Sequence, residues 1–164
     1  MMISAYLLLG TNQGDRIALL HKACDSITHR VGRIIRSSSV YESAPWGFDS
    51  DDWFLNKVLM VETSLPPEVL LLTLQQIEED LGRVRRKTTG YESRSMDIDI
   101  LFYDKAVINT STLIIPHPRL HERRFTLVPL AEIAPDFQHP VLQKNITTLL
   151  LQCSDKTSVE RLQE

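Results

Sequence analysis

Two aspartates one residue apart, Asp97 and Asp99, have the type and spacing best suited to chemistry in this sequence. They lie in the run SMDIDILFY at residues 95–103, whose apolar content predicts a strand. Because alternate residues of a strand point to one face, both carboxylates project together while Ile98 and Ile100 project into the core. Mg²⁺ is commonly held by one or two protein carboxylates, substrate phosphates and water. The pattern suits a metal site for phosphoryl transfer, although two solvated acids on an edge strand explain it equally well.

A basic segment immediately before this strand favours the metal site. Five of the twelve residues from 83 to 94 are cationic: Arg83, Arg85, Arg86, Lys87 and Arg94. Guanidinium groups match phosphate oxygens in geometry and charge, so these side chains suit the phosphates that a metal would share. A solvated basic loop is the more common explanation of such a run taken alone, but it becomes the less favoured one beside two paired aspartates. Since the segment has almost no apolar content, we expect an exposed loop.

Aromatic residues in two separated segments are suited to stack on a flat heterocycle. Phe54 follows an aromatic loop, APWGFDSDDW at residues 44–53, and Phe125 lies far along the chain. Rings from distant segments can cover both faces of a planar ligand, and Asn56 has donor and acceptor groups that suit an amide-like ring edge. Each phenylalanine taken alone would more often be a core residue. The combination indicates a heterocycle site without specifying the heterocycle.

A second candidate for phosphate contact follows the strand. His117 lies between two prolines and can donate a hydrogen bond to a phosphate, and Arg123 adds positive charge nearby. A capping or surface histidine is the usual alternative. The turn GTNQG at residues 10–14 looks like a phosphate-binding turn, but it lacks the G-x-x-x-x-G-K-[ST] pattern. We interpret it as a structural turn.

Length and composition indicate one globular domain over residues 1–164. Hydrophobic residues make up 43% and charged residues 24%, which is close to the averages for proteins with a packed core. The formal charge of −3 argues against nucleic-acid binding by bulk electrostatics. Two cysteines without C-x-x-C spacing indicate neither a disulfide framework nor a zinc knuckle, which suits a reducing cytoplasm. The short apolar N-terminal run, ended by Gly10, predicts a strand rather than a membrane segment.

Hydrophobic periodicity predicts the elements that position these residues. Strands are expected at residues 3–9, 34–42, 54–63, 95–103 and 106–108, and short helices at 127–133 and 145–152, the latter begun by Asn145. A long helix is expected between Asp15, a suitable N-cap, and Gly32, a suitable stop; another begins at 64–68 and ends at Gly82. The order strand, helix, strand, strand, helix, strand matches the ferredoxin-like split β-α-β. This is an α+β fold whose antiparallel sheet has helices packed on one face, here with a C-terminal helical extension.

Six segments resemble one enzyme family, the hydroxymethyldihydropterin pyrophosphokinases, across about residues 5–137: YLLLGTNQGD, SSVYESAPWG, FLNKV, IEEDLGRVR, RSMDIDIL and PHPRLHERRFTLVPLAEIAP. The last two, in this order and spacing, are highly specific. The resemblance implies a ferredoxin-like fold, a monomer, and two Mg²⁺ ions that bridge the aspartates and ATP. It also implies a reaction of folate biosynthesis. In the implied reaction, the hydroxymethyl oxygen of 6-hydroxymethyl-7,8-dihydropterin would attack the β-phosphorus of ATP in line, and AMP would leave.

The resemblance further implies roles for single positions. Asp97 and Asp99 correspond to metal ligands, and the cations that assist the transfer correspond to Arg83 and Arg94. The pterin would be held between Phe54 and Phe125, with edge contacts from Ser43, Pro45, Trp46 and Asn56. ATP contacts are implied for Gln75, Glu78, Arg83, Arg85, Arg94, Ile100, His117 and Arg123. The chain departs from the family at Ala44, where proline is common, and at Tyr91, where tryptophan is usual.

Two other functions compete with this one. A palm-type nucleotidyltransferase also uses strand carboxylates and two metals, but it releases pyrophosphate rather than AMP. Split β-α-β sheets also bind RNA through exposed aromatic residues, yet the RNP1-like pattern is absent and the two aspartates would repel phosphate without metal. We therefore expect ATP and the pterin alcohol as partners, with no nucleic acid and no membrane.

Overall fold

The main elements follow the predicted order strand, helix, strand, strand, helix, strand, and shorter strands lie between and after them. The computed structural model describes residues 1–44, 53–82, 84–85, 92–93 and 96–163, with backbone only at 84–85 and 92–93. The strands are β1 (Ile3–Thr11), β2 (Gly32–Ser37), β3 (Tyr41–Ser43), β4 (Phe54–Thr63), β5 (Val84–Arg85), β6 (Glu92–Ser93), β7 (Asp97–Tyr103), β8 (Ile108–Asn109), β9 (Ile114–Ile115) and β10 (Val159–Arg161). The helices are α1 (Arg16–Arg30), α2 (Pro67–Asp80), α3 (Arg124–Ile133) and α4 (Ile146–Gln152), and a 3-10 turn spans Leu120–Glu122. The α+β fold class is confirmed.

One antiparallel sheet carries most of the strands. Its path runs β10-β3-β4-β1-β7, and β2 also pairs with β4. The first half of β4 pairs with β3 and the second half with β2. On the other side of β4, Gly10 of β1 lies opposite Asn56, and the pairing of β1 with β7 places Gly10 opposite Asp97 as well. Residues from three distant segments therefore occupy neighbouring positions on β4, β1 and β7.

Side chains that alternate along the central strands contribute to two hydrophobic cores, one on each face of the sheet. Leu7 of β1 packs with apolar side chains of α1 and α2, such as Leu20 and Leu74. Its neighbour Leu8 belongs to a second core with α3 and α4, which includes Leu127. A fully buried leucine stabilises the fold by roughly 1.5–3 kcal/mol relative to an exposed one. Helices α1 and α2 therefore pack on one face, as predicted, and the C-terminal helical extension packs on the opposite face.

Gly32 has a different role from the helix stop that the sequence predicts. Helix α1 ends at Arg30, where the Val31 N–H donates to the Ile27 carbonyl, and Gly32 is the first residue of β2. A Cβ built at Gly32 would lie 1.9 Å from the carbonyl oxygen of Glu62 on β4. Glycine is required here because two strands approach closely.

Four further segments differ from the prediction. The first is the segment 83–94, expected as a loop, in which the short strands β5 and β6 pair with each other. The strand expected at 34–42 is two strands, β2 and β3, which pair with different halves of β4. The strand expected at 106–108 is the short β8, which pairs with β9 outside the main sheet. The C-terminal tail, for which no element is expected, adds β10 to β3. All four arise from pairing between strands, which leaves little local signal.

Both predicted N-caps are confirmed. The Asp15 carboxylate accepts a hydrogen bond of 3.2 Å from the Ala18 N–H, and Asn145 Oδ1 accepts one of 2.8 Å from the Thr148 N–H. Each cap satisfies a donor that has no partner within its helix. Within the part of the chain that the structure describes, no helix is long and apolar enough to cross a membrane.

Candidate active site

A cavity of about 190 Å³ opens on the sheet face that carries α3. Its walls come from β1, β3, β4 and β7 and from the start of α3, and its lining residues are Leu8, Gly10, Ser43, Ala44, Phe54, Asn56, Asp97, Asp99, Arg123 and Phe125. The strand residues share this face because they alternate along their strands and the pairing aligns them. The cavity therefore brings together the aspartates and the aromatic residues, which the sequence indicates separately.

A buried hydrogen bond fixes the amide at the base of the cavity. Asn56 and Ser43 are only 2% and 1% exposed, and Asn56 Nδ2 donates to Ser43 Oγ at 2.7 Å. Donation by Nδ2 sets the orientation of the amide, and Asn56 Oδ1 would lie 3.4 Å from a Cβ at Gly10. The glycine therefore leaves room beside an oxygen that can accept from the N–H edge of a planar ligand.

The two predicted rings line the same cavity, although they come from segments far apart in the sequence. Phe54 is the first residue of β4, Phe125 lies in the first turn of α3, and both are partly buried. The Arg123 guanidinium carbon lies 5.7 Å from the centre of the Phe125 ring, a cation–π distance that orients this wall. The two rings therefore give the cavity aromatic walls from two distant segments.

Asp97 and Asp99 are arranged on β7 as the alternation predicts. Both side chains are partly exposed and line the cavity, whereas Ile98 and Ile100 between and after them are each only 5% exposed and belong to the core with α1 and α2. Among the described residues, no group of three or more acidic, histidine or cysteine side chains is arranged to hold a metal. Two carboxylates fit Mg²⁺, whose remaining ligands are commonly phosphate oxygens and water.

Arg123 lines the same cavity and offsets part of the negative charge at Asp99. Burial is the main factor that lowers the pKa of Arg123, and Arg119 lowers it too, whereas Asp99 and Glu122 raise it. The effect of Asp99 means that its carboxylate lies close enough to stabilise the guanidinium. The site therefore combines carboxylate oxygens suited to a cation with a positive charge suited to a phosphate.

A second groove of about 280 Å³ meets the first cavity at Asp99. It is lined by Leu71, Ile98, Asp99, Ile100, Thr110, Ser111, Thr112, Leu113, Ile114, His117 and Pro118. The lining combines apolar side chains with threonine and serine residues, which suits a ligand with one aromatic part and several polar atoms. Asp99 therefore lies between an aromatic cavity and a second groove of mixed polarity.

His117 is neutral at neutral pH and has a defined tautomer. Burial first, then the charges of Arg123 and Arg119, lower the pKa of His117 to about 4. The backbone N–H of Arg119 donates to His117 Nδ1 at 3.2 Å, so the ring proton is on Nε2. The predicted donation to a phosphate is compatible with this state, but the donor is a neutral N–H rather than an imidazolium.

Two residues of α2 implied in ATP binding differ in their surroundings. Gln75 is exposed, whereas Glu78 is only 6% exposed and one of its carboxylate oxygens accepts a hydrogen bond of 2.8 Å from the Ile98 N–H. This contact joins α2 to the strand segment between the two aspartates. The contact of either residue with ATP stays a prediction.

Several implied site residues lie outside the described part of the chain. They are Pro45, Trp46, Arg83 and Arg94, together with Tyr91 of the basic segment. Arg85 is described only as backbone, in β5. Their roles stay predictions.

The sequence did not indicate every residue of the two cavities. Leu8 and Gly10 line the first cavity, and the segment from Thr110 to Leu113 lines the groove. The alternation of β1 could have placed Leu8 and Gly10 on one face, but only the pairing with β7 shows that this face is the one with the aspartates.

Comparison with known proteins gives the family. The model of the family described as 7,8-dihydro-6-hydroxymethylpterin-pyrophosphokinase (HPPK) matches residues 6–135. The 2-amino-4-hydroxy-6-hydroxymethyldihydropteridine pyrophosphokinase of Aquifex aeolicus is 44% identical over 143 residues, which cover 87% of this chain and 88% of the relative. The folic acid synthesis protein fol1 of Pneumocystis carinii is 42% identical over 145 residues, but these span 88% of this chain and only 19% of that protein.

Solved structures support the fold. A crystal structure of wild-type Plasmodium falciparum HPPK-DHPS with pteroate has a TM-score of 0.75 and 18% sequence identity, and the match covers 93% of this chain and 42% of that one. This chain therefore spans less than half the length of that protein and about a fifth of the fungal one. On the family match and the relative of similar length, this chain belongs to the 7,8-dihydro-6-hydroxymethylpterin-pyrophosphokinase family.

Proposed function

We propose that this chain transfers diphosphate from ATP to the hydroxyl of 6-hydroxymethyl-7,8-dihydropterin and releases AMP, a step of folate biosynthesis. The observation that carries the proposal is the position of Asp99, which lines both the aromatic cavity and the adjoining groove. Two substrates that occupied these spaces would meet at the carboxylates. Membership of the pyrophosphokinase family supports the same reaction.

The first cavity is the proposed pterin site. Phe54 and Phe125 would stack on the two faces of the bicyclic ring, and the amide of Asn56 would bind its edge, oriented by Ser43. Pro45 and Trp46, which follow the cavity residue Ala44 in sequence, are proposed to complete the edge contacts. A site with buried polar groups discriminates strongly against ligands that leave those groups unpaired.

The groove beyond Asp99 is the proposed ATP site. Ile100 contributes to its apolar lining and the His117 Nε2–H is a donor for a phosphate oxygen. Arg123, beside Asp99, adds positive charge at the junction. The remaining contacts are proposed for Gln75, Glu78, Arg83, Arg85 and Arg94, of which Arg83 and Arg94 would assist the transfer itself.

Asp97 and Asp99 are the proposed ligands of two Mg²⁺ ions that bind together with ATP. When bound, Mg²⁺ neutralises the phosphate charge that opposes nucleophilic attack. The chain positions the hydroxymethyl oxygen in line with the β-phosphorus, and its arginines stabilise negative charge that develops in the transition state. Positioning and charge stabilisation dominate the chemistry, and we propose that a cytoplasmic monomer performs it.

Product analysis tests the proposal directly. The purified chain is incubated with ATP and Mg²⁺, with and without the pterin alcohol, and the nucleotide products are separated by chromatography. AMP should appear only when the pterin is present. Release of pyrophosphate instead of AMP would indicate a nucleotidyltransferase, and retention of RNA with no nucleotide product would indicate an RNA-binding module.

A further inference from the structure

Arg16, the first residue of α1, links the two strand ends that border the proposed pterin cavity. Its Nη1 donates to the Trp53 carbonyl oxygen at 2.8 Å and to Glu42 Oε2 at 3.2 Å. Glu42 lies in β3 one residue before Ser43, and Trp53 immediately precedes Phe54 of β4. One guanidinium nitrogen therefore contacts the residue next to each of two cavity-lining residues.

The link lies next to the outermost pair of β3 and β4 that the structure describes. Ser43 and Phe54 are the last pair in the register of β3 with β4. The described residues just beyond this pair, Ala44 and Trp53, are not paired with each other in the sheet. The guanidinium of Arg16 bridges the two strands at this position, from the N-terminus of α1.

Arg16 does not line the aromatic cavity itself. It lines a separate groove with Asn12, Gln13, Gly14, Glu42, Trp53 and Glu160, and the side chains of Arg16 and Glu42 are 33% and 32% exposed. An ion pair with this exposure contributes little to stability, because solvent screens it. The hydrogen bond to the Trp53 carbonyl differs, because it holds the main chain one residue from Phe54.

We propose that Arg16 is a positioning residue for the pterin site, and that it sets the separation of Ser43 and Phe54 by holding Glu42 and the Trp53 carbonyl. The proposal rests on the assignment of the first cavity to the pterin. If Arg16 has this role, its removal should weaken pterin binding but not ATP binding. The groove assigned to ATP is lined by other elements, namely α2, β7 and the segment from Thr110 to Pro118.

The test compares Arg16→Ala with Arg30→Ala, which removes an arginine of similar exposure from an ion pair at the other end of the same helix. Arg30 Nη1 lies 2.7 Å from Asp80 Oδ2, and its side chain is 36% exposed. Calorimetry measures the Kd of a non-hydrolysable ATP analogue, and then the Kd of the pterin alcohol in its presence. Arg16→Ala should raise the pterin Kd about threefold to tenfold, the effect of one lost hydrogen bond. Arg30→Ala should change neither constant.

Two further variants separate the contacts. Glu42→Gln removes the charge pair but keeps an acceptor oxygen for Arg16, so pterin affinity should stay near the wild-type value. Arg16→Lys keeps a donor that can reach one partner, so its loss of pterin affinity should be intermediate. If Arg16→Ala fails to fold, the pterin Kd of Arg16→Lys tests the proposal instead.

Distinct results separate the two proposals. An equal loss of pterin and ATP-analogue affinity in Arg16→Ala, or a pterin Kd equal to that of Arg30→Ala, would overturn the positioning role. If the wild-type chain with the ATP analogue bound no pterin, the proposed function itself would fail.

Discussion

The Glu78 carboxylate accepts a 2.8 Å hydrogen bond from the backbone N–H of Ile98, the residue between the two aspartates of β7. In the described sheet β7 is an edge strand that pairs with β1 alone, so this N–H has no strand partner on its other side. Glu78 supplies an acceptor there from α2, and both residues are buried. The contact holds the strand segment that carries Asp97 and Asp99 against the helix.

Removal of this acceptor should cost both stability and turnover. In Glu78→Ala the buried Ile98 N–H is left without the carboxylate, and the free energy of unfolding should fall by about 1–3 kcal/mol. Magnesium-dependent turnover should fall as well, because the strand that carries the aspartates shifts. Urea denaturation and steady-state kinetics measure the two effects.

The variant Glu78→Gln distinguishes positioning from direct contact with ATP. Its amide oxygen can still accept from Ile98, so stability and turnover should stay close to those of the wild type if the backbone contact is the main role. A raised KM for ATP with unchanged stability would instead favour a direct ATP contact for Glu78.

The stacking role of Phe125 predicts a selective loss of pterin affinity. Phe125→Ala removes one wall of the cavity and should weaken pterin binding by about 1–3 kcal/mol, the value of aromatic stacking on nucleobases. ATP affinity should change much less, because Phe125 does not line the second groove. Phe125→Leu is the matched control, since it keeps apolar volume without a ring. Equal calorimetric losses for both ligands would contradict the assignment.

Local patterns predicted the parts of the site that depend on a single element. The faces of Asp97 and Ile98 follow from strand alternation, and the caps at Asp15 and Asn145 follow from the preference of short polar side chains for helix N-termini. These features need only a few neighbouring residues, so periodicity and residue type are sufficient.

Contacts between distant segments could not be predicted in this way. Gly32 is glycine because β4 approaches it, and Gly10 lines the cavity because β1 lies between β4 and β7. The bond from Arg16 to the Trp53 carbonyl and that from Ile98 to Glu78 join residues far apart in the sequence. Strand pairing and helix packing determine these positions, and neither has a local signal in one sequence.

Neutral His117 predicts a specific dependence of stability on pH. Burial, then Arg123 and Arg119, lower the pKa of His117 from 6.5 to about 4 in the folded chain. The unfolded chain therefore binds a proton at His117 more readily than the folded chain does. The contribution of neutral His117 to the free energy of unfolding is fully present above the unfolded pKa of about 6.5 and is lost as pH falls toward 4. The loss is at most about 3 kcal/mol.

The variant His117→Asn isolates this contribution. Its side-chain oxygen can replace Nδ1 as the acceptor for the Arg119 N–H, and it does not titrate. Urea denaturation across this pH range gives the free energy of unfolding of both proteins. The free energy of unfolding of the wild type minus that of the variant should be constant above about pH 6.5 and should decrease at lower pH. A difference that does not change with pH would contradict a buried, neutral His117.

The metal assignment predicts that each aspartate of β7 is needed for turnover but not for folding. Asp97→Asn and Asp99→Asn keep shape and hydrogen-bonding capacity and remove one negative charge, so Mg²⁺ affinity and turnover should fall together. Stability of Asp97→Asn without metal should be equal or higher, because repulsion between two carboxylates is relieved. Asp99→Asn should gain less, because it also loses the attraction between Asp99 and Arg123. Thermal unfolding in chelator and AMP release at increasing Mg²⁺ concentration measure the two effects.

Asp104→Asn is the control for these variants, because Asp104 follows the last residue of the same strand and is exposed. Its φ of 49° lies in the left-handed region, which asparagine tolerates as well as aspartate does, so the change removes a charge without backbone strain. Turnover of this variant should match that of the wild type. In both proteins, turnover should stop in chelator and recover when Mg²⁺ is added. A folded Asp97→Asn or Asp99→Asn protein with the magnesium-dependent turnover of the control would refute the metal site, because both cavities would then meet at a carboxylate that the reaction does not use.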